Sequence, residues 1–162
     1  MTAKGRKENR IEYYNIPAAF DIETSSFYQD GEKKACMYIW QFGILNWVTY
    51  GRTWDEYISF LEVLSTVLGL DSSHRLVIYV HNLAYEWQFF RKRFEWDKVF
   101  FLDNRKPVYA ITGGYEYRCS LKLSSKSLRK VGQDLQKYKC EKKMGDLDYS
   151  LVRTSKTPLT EK

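Results

Sequence analysis

Between Thr53 and Gly69 the sequence spells out one helix from its first residue to its stop. Thr53 is a good N-cap, and Glu56 three residues later completes a capping-box pattern, in which each side chain satisfies a backbone N–H of the other. Trp54, Tyr57, Ile58, Leu61, Leu64 and Leu68 recur at helical spacing and form one apolar face. Gly69 tolerates the left-handed turn that commonly ends a helix. A one-sided helix must bury its apolar face on another element. Strand-like runs precede it at residues 17–23, 37–45 and 47–50, and a short apolar run follows at residues 75–80. This order implies helices packed on a mixed sheet, an α/β architecture.

His81-Asn82 breaks the run at 75–80, and residues 83–94 read as a second helix. Further strands are expected at 99–102, 108–112 and 115–121, with Gly113-Gly114 as a hairpin turn. Residues 127–139 read as a basic amphipathic helix with Leu128, Val131 and Leu135 turned inward, and the tail from Gly145 as a loop. Hydrophobic residues make up 44% of the 162 and aromatics 17%, enough for one sizeable core. Residues 1–16 form a basic arm, and residues 17–162 a single domain.

The apolar stretches fall well short of the roughly 20 residues of a membrane span. The first ten residues lack the apolar segment of a signal peptide. Cys36, Cys119 and Cys140 lie far apart without metal-ligand spacing, as in a reduced compartment. A cytoplasmic protein with no membrane partner is therefore expected. The net charge of +6 is concentrated around residues 4–10, 91–93 and 122–143, which suits a polyanionic partner. Each cluster alone is also what a solvated face looks like.

The chemistry concentrates on two short segments. In a strand, Asp21 and Glu23 project from one face and Ile22 from the other. Like charges side by side are costly unless a cation lies between them, and oxygen ligands favour Mg²⁺ or Mn²⁺. A strand end with two solvated acids is the plainer alternative. Glu86 follows Asn82 by about one helical turn, so both can face the exit of the strand at 75–80. Functional groups in open α/β sheets gather at such exits. If this strand neighbours the first, Glu86 joins Asp21 and Glu23. Otherwise His81 and Asn82 are cap residues and Glu86 is a surface acid.

Read together, Phe20-Asp21-Ile22-Glu23-Thr24 and His81-Asn82-Leu83-Ala84-Tyr85-Glu86 resemble the first two exonuclease motifs of family B DNA polymerases, above all the protein-primed branch of phages. Ser120-Leu121 is similar to that branch's Ser-Leu contact with single-stranded DNA. Gly145-Asp146-Leu147-Asp148-Tyr149 is similar to the run that follows it. The segments keep the family's order across residues 18–162. The resemblance implies a ribonuclease-H-like (DnaQ-like) exonuclease fold, a mixed sheet flanked by helices, and two-metal hydrolysis of 3′-terminal nucleotides. It implies Asp21, Glu23 and Glu86 as catalytic metal ligands for Mg²⁺ or Mn²⁺, with Glu86 where aspartate is commoner. Thr24, Asn82, Leu83, Tyr85, Ser120 and Leu121 would hold the 3′ end of single-stranded DNA, Tyr85 by stacking on a base. Lys143, beside Met144, stands one residue from the slot of a lysine that the family uses. The implied setting is a phage or prophage protein in a bacterial cell.

The family's third motif, Tyr-x-x-x-Asp on a helix, has no counterpart after Tyr149, although Thr157-Pro158 reads as a helix start. A C-terminally truncated domain follows, with a poorly held second metal, weak or no activity alone, and the rest of a polymerase as a partner. Alternatives are a free-standing nuclease acting on RNA or short oligonucleotides, a catalytically inactive nucleic-acid-binding or interaction module, and a plain globular domain with accidental motifs. Metal titration separates the enzyme from the inactive module.

Overall fold

The structure, a computed structural model, describes residues 10–137, 140, 148 and 150–159. After a short strand β1 (Glu12–Tyr13) comes an antiparallel meander of β2 (Ala18–Gln29), β3 (Glu32–Ile44) and β4 (Trp47–Gly51). β2 and β3 are joined by Asp30-Gly31, both at positive φ (54° and 77°). This two-residue turn matches the twist of its strands. Helix α1 (Trp54–Leu68) leads to β5 (His74–Val80), and α2 (Leu83–Phe90) follows. The hairpin β6 (Lys98–Asp103) and β7 (Lys106–Thr112) precedes β8 (Tyr115–Cys119), α3 (Ser120–Ser124) and α4 (Leu128–Asp134).

These strands form one mixed sheet in the order β4-β3-β2-β5-β8-β7-β6, with β1 also paired to β5. β5 runs parallel to β1, β2 and β8, and the remaining pairs are antiparallel. Phe20 stacks on Tyr57 of α1 with ring centroids 4.5 Å apart, and meets Phe90 of α2 edge-on. Tyr117 of β8 also meets Phe90, and its hydroxyl hydrogen-bonds that of Tyr57 at 2.9 Å. Both helices therefore cover the same sheet face, and the core lies between them and the strands.

Helix α1 follows the sequence expectation closely. Glu56 N–H donates to Thr53 Oγ1 at 3.2 Å, and Thr53 N–H donates to Glu56 Oε2 at 2.9 Å. Gly69 closes the helix at φ 62°. Trp40 Nε1–H donates to the Thr53 carbonyl at 2.9 Å, tying the helix start to β3. Thr53→Ala is expected to lower stability by about 1 kcal/mol in a denaturant titration, because one N-terminal amide loses its acceptor.

Elsewhere the structure corrects the sequence reading. The first two strands are longer than residues 17–23 and 37–45, reaching the Asp30-Gly31 turn. Helix α2 ends at Phe90 rather than at residue 94. The strand expected to reach Leu121 stops at Cys119, because Ser120 and Leu121 begin α3. The helix expected over 127–139 covers only Leu128–Asp134. Leu128 and Leu135 are exposed rather than inward, and Val131 is half-buried. Residues 12–13 of the basic arm form β1. Thr157 closes a turn with its N–H on the Thr154 carbonyl at 3.0 Å, and Pro158 lies outside regular structure. The three cysteines are free. Among the described residues no helix is long and apolar enough to cross a membrane.

Candidate active site

Strands β2 and β5 pair only at Ala18↔Ile78 and Ala19↔Tyr79. Beyond those pairs they part, and the opening lies at the carboxyl end of β5, where α/β sheets place functional groups. Phe20 and Ile22 are buried while Asp21 is exposed, as strand alternation requires. β5 ends at Val80, and Asn82, in the left-handed region at φ 71°, turns the chain into α2. One helical turn later, Glu86 points inward with Leu83, Trp87 and Phe90.

Glu86 is 3% exposed, and its carboxyl lies against that of Asp21. Burial, the largest effect, pushes the Glu86 carboxyl up to about 8. A hydrogen bond from its own backbone N–H opposes the shift, while the neighbouring Asp21 adds to it by charge and by a hydrogen bond. At neutral pH Glu86 therefore keeps its proton. Glu86 Oε2 is buried without a hydrogen-bond partner among the described residues. An orphaned buried oxygen beside a second acidic side chain fits a hard divalent cation. Mg²⁺ in particular is commonly held by one or two carboxylates, with water and substrate phosphate completing its shell.

Glu23 is half-buried. β2 and β3 slip register between Glu23 and Thr24, where Tyr38 of β3 is the extra residue of a bulge facing the acid-bearing strand. Among the described residues no three His, Cys, Asp or Glu side chains form a group that could hold a metal ion. Asp21 and Glu86 are thus brought together, and the expected trio with Glu23 is not.

The other expected residues divide the same way. Thr24 and Tyr85 share a hydroxyl–hydroxyl hydrogen bond that ties β2 to α2. The Tyr85 ring lies against Phe89 and is 41% exposed, so a face remains for a ligand. Ser120 Oγ lies 3.1 Å from His81 Nδ1, joining the exits of β5 and β8. Asn82 is exposed, and Leu121 is half-buried against the core. Leu83 is fully buried, and its side chain packs in the core. Lys143 lies outside the described residues, as do residues 145–147 and 149, while Asp148 is exposed.

Sequence reasoning missed a strap formed by residues 150–157. Arg153 N–H donates to Ser25 Oγ at 2.9 Å, close to Glu23 on β2. The Arg52 guanidinium donates to the carbonyls of Tyr38, Thr154 and Thr157 at 2.7, 2.9 and 2.7 Å. Arg52 reads locally as an ordinary turn residue, and nothing in its neighbourhood announces partners so distant in sequence. No protein family, curated protein or solved structure was found to match the chain.

Proposed function

We propose that this chain is a 3′→5′ exonuclease domain of the DNA polymerase proofreading type, acting on single-stranded 3′ ends by metal-assisted hydrolysis. The observation that carries the reading is the contact between Asp21 and the buried, proton-holding Glu86 at the mouth of the parted strands. Perturbed carboxyl pairs in clefts are a mark of catalytic sites. A ribonuclease-H-like fold is supported by the order of elements: an antiparallel meander, a helix, a parallel strand, a helix and, after the hairpin, a second parallel strand.

Asp21 and Glu86 would hold Mg²⁺ or Mn²⁺, which would supply a water of lowered pKa and neutralise charge at the phosphorus. Glu86 must first give up its proton, so ion binding releases protons and strengthens as pH rises toward 8. Glu23 is the candidate ligand for a second ion. Thr24 and Tyr85 orient one another at the site's edge, and the exposed Tyr85 ring offers a stacking surface for a terminal base.

With Asp21 and Glu86 in contact and no three-acid group among the described residues, we expect one ion to bind well and hydrolysis by this chain alone to be weak. Titration calorimetry with Mn²⁺ should show one ion bound with proton release, and Asp21→Asn should lower the affinity by roughly 10²-fold, because a unit charge beside the ion is lost. A gel assay on 3′-ended single-stranded DNA should show slow, Mn²⁺-dependent shortening that this variant abolishes. Binding of single-stranded DNA without any metal binding would favour the alternative, an inactive nucleic-acid-binding module derived from such a domain. The absence of a three-acid group among the described residues is the observation on that side.

A further inference from the structure

The sheet face opposite the helices carries a row of side chains that the active site does not use. Cross-strand register places Tyr79 opposite Arg118, Arg118 opposite Tyr109, and Tyr109 opposite Phe100. Directly paired residues project to the same side, so these four side chains form one line across β5, β8, β7 and β6. With strands about 4.8 Å apart the line is roughly 14 Å long. Core residues Ile78, Tyr117 and Ala110 alternate with it and point to the helices. Tyr79 is 38% exposed and Phe100 44%. Tyr109 and Arg118 are half-buried.

The row is built as a set of flat surfaces with cations between them. Phe100 and Tyr109 stack with ring centroids 5.5 Å apart and an interplanar angle of 22°. Lys98 Nζ sits over the Tyr109 ring at 5.7 Å. The Arg118 guanidinium lies over Tyr13 at 5.2 Å and is held at 2.6 Å by Glu116, which also faces Arg75 at 3.5 Å. One buried carboxylate between two arginines leaves that cluster cationic, and Lys98 adds to it. Ala19, the register partner of Tyr79, lies on the next strand, and Asp21 is two residues further along it. The line thus ends beside the carboxylate pair.

We propose that this aromatic and basic row is a binding platform for single-stranded nucleic acid, lying outside the cleft and leading to it. Alternating rings and cations on an open sheet are suited to unpaired bases and phosphates, which offer π-faces and negative charge. A duplex hides its base faces and gains only the charge term. The path toward Asp21 rests on the exonuclease reading, whereas binding to the row does not.

The test is fluorescence anisotropy with labelled dT12, rU12 and a 12-base-pair DNA duplex, in EDTA and low salt so that no metal-dependent cleavage intrudes. The wild-type chain should prefer the single strands to the duplex. The dT12 and rU12 arms decide between DNA and RNA as the occupant. Phe100→Ser and Lys98→Glu should each weaken single-strand binding by about 5- to 100-fold, the range for loss of one stacked base. Lys33→Glu, on the distant β2–β3 hairpin, should leave affinity within about twofold while lowering charge equally. Unchanged thermal melting of each variant confirms that the fold survives.

Wild-type affinity in both platform variants, or an equal loss in Lys33→Glu, overturns the platform. So does a wild-type chain that binds none of the three probes. If the platform variants lose binding while no Mn²⁺-dependent hydrolysis exists, the platform stands and the exonuclease reading fails. If hydrolysis is present and platform variants bind normally, the reverse holds.

Discussion

Glu86→Gln is expected to raise the stability of the fold at pH 7 by about 3 kcal/mol and at pH 9 by about 5 kcal/mol, with almost no gain at pH 4. The wild-type carboxyl ionises at an ordinary pH in the unfolded chain, but in the folded protein it holds its proton up to about 8. Its contribution to stability is therefore fully present below the unfolded value near 4.5 and is lost as pH rises through about 8. Glutamine has no proton to lose and nearly the same shape, and its amide can still donate to Asp21. Denaturant titrations at pH 4, 7 and 9 should show the wild type weakening with pH while the variant stays level. Millimolar Mn²⁺ should restore the wild type at pH 8 and leave the variant unmoved, because a ligand that binds only the folded site stabilises it by mass action. Destabilisation by Glu86→Gln at every pH would mean that Glu86 is ionised and paired, and would remove the basis of the site.

Phe20→Ala is expected to cost 3–5 kcal/mol, about the range for a large aromatic side chain removed from a packed core. Phe20 is 3% exposed and touches Tyr57, Phe90 and Tyr117, so one ring joins α1, α2 and β8. It also precedes Asp21. Loosening it frees β2 from α2 and separates Asp21 from Glu86. Thermal melting should show a large drop, and Mn²⁺ affinity should fall with it even under conditions where the variant is still folded. A variant of near wild-type stability would mean that the ring cluster repacks without Phe20.

Several elements were legible because their determinants are local. Helix α1 carries its N-cap, its apolar stripe and its terminating glycine within residues 53–69, and the structure has all three. The β7–β8 hairpin follows from Gly113-Gly114 in the same way. The Asp30-Gly31 turn was equally local, yet the polar stretch on either side of it hid the strand alternation. Residues 24–29 and 32–36 are strand because each pairs with the other across that turn. The end of α2 at Phe90 was not local. Phe94 and Trp96 continue the apolar pattern but reach the core from outside the helix, where both rings meet Phe90.

What the sequence determined by itself was the α/β class, the acids at positions 21, 23 and 86, and the exit of the strand at 75–80 that Glu86 follows. Those properties follow from spacing, capping and the alternation of apolar residues, all of which act over a few residues. Only the tertiary structure decided that Asp21 meets Glu86. That outcome depends on where two parallel strands diverge. It also decided that Tyr79, Arg118, Tyr109 and Phe100 share one line, since cross-strand register is settled by packing between segments far apart in the chain.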